Sequence, residues 1–161
     1  MGKANKLKFS ESGVRGIVGE GLTTRLAVEL GAAFGFYLGG GCIVVGRDTR
    51  STGDMFEQAV TAGLLAAGCE VVRVGIIPTP TLQFTVKSTG ASGGIAITAS
   101  HNPPEWNALK FVGPAGTFLS PGEAAGLFDL YNQGNFPYRT ERDFRSVRFL
   151  ADAFAAHEQR I

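Results

Sequence analysis

The sequence predicts an α/β fold: three layers, α/β/α, built on a mainly parallel, mixed sheet with an antiparallel edge hairpin. Three observations predict it. From residue 23 to residue 99 the pattern runs helix, strand, helix, strand, helix, strand with short connections, which is how a parallel sheet covered by helices reads. Residues 42–45 and 95–97 are apolar throughout instead of alternating, as strands buried on both faces are. Residues 109–112 and 117–119 flank Gly113-Pro114-Ala115-Gly116, so they predict a hairpin at the sheet edge.

The elements follow in order. Residues 7–10 make a short strand, and Ser12-Gly13-Val14-Arg15-Gly16 is a loop in which two glycines flank an arginine. Thr23 or Thr24 caps a helix with Leu26, Leu30, Phe34 and Leu38 on one face and Ala27, Gly31 and Gly35 between them. Gly39-Gly40-Gly41 ends it, and 42–45 is a buried strand. Ser51-Thr52-Gly53-Asp54 matches a capping box and opens a helix to about residue 67. A strand over 70–74, a stiff Pro-rich connection and a helix capped by Thr81 lead to the strand 95–99. Ser120-Pro121-Gly122-Glu123 is a second capping box, and its helix buries Ala124, Leu127, Phe128 and Tyr131. Residues 132–146 are polar and irregular. Helical spacing resumes at Leu150, Phe154, His157 and Ile161. These features divide the chain into a folded unit over 1–135 and a segment over 136–161. The second segment reads as a linker and the truncated start of a following domain, or else as a docked terminal helix.

Bulk properties narrow the function. Hydrophobic residues are 44% and charged residues 18%, which fits a folded domain and not a disordered one. A formal net charge of +1 gives no reason to expect a nucleic-acid or acidic-membrane partner. The first six residues hold no apolar signal core, and no run approaches the roughly 18 apolar residues of a membrane helix. Cys42 and Cys69 lie at the edges of apolar runs, as reduced core thiols do. Cytoplasm is the expected compartment.

The chemistry gathers on Thr98-Ala99-Ser100-His101-Asn102-Pro103, where the apolar strand breaks off into Pro103 and Pro104. A hydroxyl, an imidazole and an amide thus sit at the C-terminal end of a strand, where open α/β sheets bind ligands. A Ser-His hydrolase fits poorly. Adjacent residues do not readily form the hydroxyl-to-imidazole bond, no G-x-S-x-G elbow occurs, and His157 lies on an apolar helical face. Phosphate chemistry fits better: Ser100 would carry a phosphoryl group, with Arg15, Arg47, Arg50 and Lys110 to neutralise it. Taken alone, Arg15 serves either an oxyanion contact or a plain turn. Gly46-Arg47-Asp48-Thr49-Arg50 reads either as a phosphate-handling turn or as an Arg–Asp pair that shapes it. Neither a Walker A loop nor a Rossmann fingerprint is present, which argues against nucleotide binding.

The Ser100 loop, followed by Asn107 and Lys110, resembles the phosphoserine loop of the α-D-phosphohexomutase family, which includes phosphoglucomutase, phosphomannomutase and phosphoglucosamine mutase. Residues 12–16 resemble the family's N-terminal motif and residues 46–50 its second conserved stretch. The resemblance runs from about residue 8 to residue 131 and covers the first of four domains. It implies that Ser100 is phosphorylated and passes its phosphoryl to a hexose phosphate, that the resulting bisphosphate reorients, and that the other phosphate returns to the serine. It implies catalytic roles for Ser100, Arg15 and Lys110, with His101 positioning the loop or assisting proton transfer. Asn102 would shape the turn, and Arg47 and Arg50 would meet substrate or phosphate. It also implies Mg²⁺ held partly through the phosphate on Ser100. No Asp-Gly-Asp-x-Asp metal loop or Gly-Glu-x-Ser-Gly sugar loop occurs, so the expected partners include the remaining domains of the same chain. Trp106-Asn107-Ala108 stands where the family often has Tyr-Asn-Gly, so the loop's exit is expected to differ. The alternative is a non-catalytic module of the same fold that binds sugar phosphate or acts as a scaffold.

Overall fold

Strand β3 (Gly41–Arg47) sets the layering. Its Ile43 and Val45 point into one apolar core and Val44 into another. The computed structural model describes residues 7–160, so the expectations placed on the first six residues and on Ile161 lie outside it. Strands β1 (Leu7–Ser10), β2 (Gly13–Ile17), β4 (Cys69–Ile76), β5 (Gly93–Ile97), β6 (Trp106–Val112) and β7 (Val147–Phe149) join β3 in one sheet, in the order β1-β2-β6-β5-β3-β4-β7. Strands β5, β3, β4 and β7 are mutually parallel, while β1, β2, β6 and β5 pair antiparallel in turn. Helices α1 (Thr24–Tyr37), α2 (Gly53–Ala66) and α4 (Pro121–Gln133) cover one face. Helices α3 (Thr79–Thr89) and α5 (Ala153–Glu158) cover the other. This is the three-layer α/β/α fold with a mixed sheet.

The small-residue face of α1 meets α2 closely. A Cβ at Gly63 of α2 would fall on the Val28 carbonyl oxygen of α1, so only glycine fits there. Leu26, Leu30 and Phe34 then pack against Phe56, Val60 and Leu64 over the sheet. Thr23 caps α1, accepting from the Leu26 N–H at 3.2 Å. Both cysteines are free thiols, on opposite faces of the sheet, and burial pushes Cys69 up to about 11.

Several elements differ from expectation. Residues 13–16, inside the stretch 12–16 expected as a loop, belong to β2, because β1 and β6 supply pairing partners on both sides. The hairpin over 109–119 is only a single bridge, Val112 to Phe118, since β6 lies between β2 and β5; the edge hairpin is β1–β2. Helix α3 begins at Thr79 after Pro78, and Thr81 is buried inside it. Ala108 is an ordinary buried strand residue, opposite Arg15. Past residue 135, β7 pairs parallel to β4 and α5 packs on α3 through Ala153 and His157. Among the described residues no helix is long and apolar enough to cross a membrane.

Candidate active site

The site is built where β5 ends and β6 begins. Ser100 has φ +53°, the one positive φ outside glycine among the described residues. The loop folds back on itself: the Ser100 N–H donates to Thr98 Oγ1 (3.3 Å), the Asn102 N–H to the Ala99 carbonyl (3.1 Å) and the Trp106 N–H to the Pro103 carbonyl (3.0 Å). These bonds leave the Ser100 side chain at the surface, in a cavity of about 350 Å³. His101, Asn102, Arg15 and Lys110 line the same cavity, together with Ser10 and Ser12, which sequence reasoning did not single out.

Strand alternation brings the two cations there. Arg15 pairs with Ala108 on β6, and Lys110 stands two residues further along that strand. Directly opposed and i, i+2 residues share a sheet face, so Arg15 and Lys110 project from the same side. Among the described residues neither forms an ion pair with a carboxylate; Lys110 Nζ lies 5.6 Å from the Phe118 ring centroid. Lys8, opposite Arg15 on β1, adds positive charge to this face. Gly13 lets β2 approach: a Cβ there would land on the Leu109 carbonyl oxygen. His101 Nδ1 is 3.5 Å from Ser100 Oγ, at the outer limit of a hydrogen bond. His157 is elsewhere, 3.0 Å from Thr81 Oγ1 and stacked on Phe84 at 4.9 Å. A serine-hydrolase arrangement is therefore not assembled around Ser100.

The two arginines expected to meet phosphate are otherwise engaged. Arg47 turns onto α2: its Nε donates to Glu57 at 3.0 Å, and Arg73 donates to the same carboxylate oxygen at 2.9 Å. Glu57 is 1% exposed, and its hydrogen bond raises the pKa of Arg73, so the cluster is a charged lock between β3, β4 and α2. Arg50 turns onto the Ser100 loop and donates to four of its carbonyls. Both place their guanidinium groups on protein acceptors instead of in the cavity. Asn107, fully buried, ties the loop's exit to the start of α2 by donating to Thr52 Oγ1 at 3.0 Å. Thr52, the N-cap of α2, has helical backbone angles (φ −84°, ψ −4°) and makes no side-chain cap, so the capping box expected at 51–54 does not form.

Residues 6–137 match the family described as phosphoglucomutase/phosphomannomutase, alpha/beta/alpha domain I. The chain belongs to this family. A phosphoglucosamine mutase of Oceanobacillus iheyensis is 43% identical over 144 residues, 86% of this chain and 32% of that protein. A phosphoglucomutase/phosphomannomutase of Thermococcus kodakarensis is 43% identical over 133 residues, 80% of this chain and 29% of that protein. Among solved structures, a phosphoglucomutase/phosphomannomutase family protein from Burkholderia thailandensis superposes with a TM-score of 0.78 at 30% identity, covering 94% of this chain and 36% of that one. The chain spans about a third of the length of the curated relatives it matches. As a phosphohexomutase domain I, it places Ser100 at the C-terminal end of the parallel strands, on the same sheet face as two unpaired cations.

Proposed function

We propose that this chain is the phosphoserine-bearing domain of a phosphohexomutase that interconverts hexose 1-phosphate and hexose 6-phosphate through a bisphosphate. The observation that supports it most is the cavity in which Ser100 meets Arg15 and Lys110. In the forward half-reaction, the bond from Ser100 Oγ to phosphorus breaks as a sugar hydroxyl oxygen bonds to that phosphorus. In the second, the sugar's other phosphate returns to Ser100 Oγ. Phosphoryl transfer asks for positioning and charge stabilisation more than for covalent machinery. Arg15 and Lys110 neutralise the roughly two negative charges of the phosphoryl group. His101 positions the loop or takes part in moving the hydroxyl proton, and Asn102 shapes the turn.

Among the described residues no group of three or more His, Cys, Asp or Glu could hold a metal ion, and the Asp48 carboxylate is committed to Arg50. We assign to the phosphate on Ser100 the oxygens that would meet Mg²⁺, and the other ligands to the rest of the protein. The same holds for the sugar contacts, so the chain by itself is expected to lack mutase turnover. Two reduced thiols accord with a cytoplasmic setting.

The test is Ser100→Ala in the full-length protein, assayed with a hexose 1-phosphate and a catalytic amount of hexose 1,6-bisphosphate. Turnover should fall to background, and intact-mass analysis of the unsubstituted protein should place one phosphate on Ser100. Wild-type turnover in the alanine variant would overturn the assignment.

A further inference from the structure

We propose that Arg50 is the positioning residue of the Ser100 loop, holding the phosphoryl-carrying serine in place without touching the phosphoryl group. The Ser100 loop carries a surplus of acceptors. Pro103 and Pro104 have no N–H, so the loop holds more carbonyls than its own donors can satisfy. Four of those carbonyls converge on one guanidinium. Arg50 Nη1 donates to the Pro103 oxygen (2.8 Å) and the Trp106 oxygen (3.0 Å), and Nη2 to the Ser100 oxygen (2.9 Å) and the Asn102 oxygen (2.7 Å). Nε donates to Asp48 Oδ2 at 3.2 Å. A guanidinium carries five N–H donors, and five acceptors are met.

The clamp has a rigid base. Asp48 also accepts the Arg50 backbone N–H through Oδ1 at 3.0 Å, closing the turn after β3. The Arg50 side chain is 14% exposed, so water competes little for these bonds. One planar fork thus ties the turn after β3 to both arms of the loop after β5, including the residue whose backbone sits at φ +53°. A lysine could not do this. Its ammonium has three donors and no fixed plane.

The proposal rests on the mutase reading for its catalytic consequence, but the clamp itself can be read without it. In the full-length protein, Arg50→Lys should lower kcat by on the order of 10²-fold, the cost of a loop displaced by about 1 Å. KM for the hexose phosphate should change little, because the five Arg50 donors are already met by acceptors of this chain. In Arg50→Ala, added guanidinium ion should restore part of kcat. Independently, hydrogen exchange at the amides of Asn102 and Trp106 should accelerate in Arg50→Lys, with the amides of β3 and β5 unchanged as the control for folding. A raised KM with kcat intact would overturn the proposal by placing Arg50 on the substrate. Wild-type kcat together with wild-type loop exchange in Arg50→Lys would overturn it by showing that charge alone suffices. If the unsubstituted protein shows no mutase turnover, the proposed function fails, while the exchange measurement still decides the clamp.

Discussion

Ser100 combines an exposed hydroxyl with a left-handed backbone at φ +53°. An L-residue there costs roughly 1–2 kcal/mol against the right-handed conformations, and glycine escapes most of that cost. The surrounding hydrogen bonds, and the Arg50 fork above all, hold the serine in that conformation. The strain separates two variants that both lack the hydroxyl. Ser100→Gly should be more stable than Ser100→Ala by about 1 kcal/mol in urea unfolding, even though neither can carry a phosphoryl group. Equal unfolding midpoints, or a more stable alanine variant, would mean that the loop does not hold its left-handed turn in solution. Residue types at this position were legible from the sequence: a serine in a loop that must break regular structure, with cations elsewhere to serve it. The side-chain directions of Arg47 and Arg50 were not. Arg47 ends β3 and Arg50 lies in the turn after it, and only the tertiary partners, Glu57 for one and the loop carbonyls for the other, decide which way each points.

At the scale of elements, two identical-looking start signals have opposite outcomes. Ser120 caps α4 in a full box: its Oγ accepts the Glu123 N–H, and the Glu123 carboxylate accepts the Ser120 N–H at 2.7 Å. At 51–54 the same pattern of residues makes no box: the N-cap Thr52 has helical backbone angles where Ser120 is extended, and its Oγ1 accepts from Asn107, fifty-five positions away. A local motif thus predicts a helix start well but not the backbone conformation of its cap residue. The same asymmetry explains β2. Its glycines read as a loop, and only β1 and β6, which the local pattern does not reveal as its neighbours, make it a strand. The α4 cap is testable. Ser120→Ala should cost about 1 kcal/mol of stability in urea unfolding. The hydrogen bonds from Ser120, side chain and then backbone, hold the Glu123 carboxyl below the usual carboxylate range. A carboxylate held down in the folded state stabilises it above its unfolded pKa, and that contribution is lost as pH falls through the depressed value. Stability should therefore drop on acidification through the carboxylate range, and Glu123→Gln should flatten this part of the profile. An unchanged profile in that variant would remove Glu123 from the cap's energetics.

The whole molecule joins two kinds of sheet along β5. On one side are the parallel strands whose C-terminal ends form the turn of Arg50. On the other are the antiparallel strands that carry Arg15 and Lys110. The helix–strand alternation made the parallel half readable, since each unit is local in sequence. The antiparallel half brings residues 14–17 against residues 106–109, and nothing local encodes that pairing. The far edge is not announced locally, for a related reason. The three-residue strand β7 has exposed Val147 and Phe149 and too little apolar pattern to announce itself, yet it closes the β4 edge. The Val71 N–H donates to the Ser146 carbonyl at 3.1 Å, and the Leu150 N–H donates to the Arg73 carbonyl at 2.9 Å. Helix α5 then sets Ala153 into the core on the α3 side, with His157 bonded to Thr81 and stacked on Phe84. Ending the chain at residue 144 would open the backbone of β4, a long apolar strand, as a free edge. The loss of these few hydrogen bonds and of the Ala153 contact should lower unfolding stability by roughly 2–4 kcal/mol. The open edge should also make the shortened chain self-associate with rising concentration in sedimentation velocity, while the 161-residue chain does not. A shortened chain that stays monomeric and keeps its unfolding midpoint would show that β7 and α5 do not belong to this sheet in solution. The site would feel the change only weakly, because β3 separates β5, at whose end the site lies, from the exposed β4 edge.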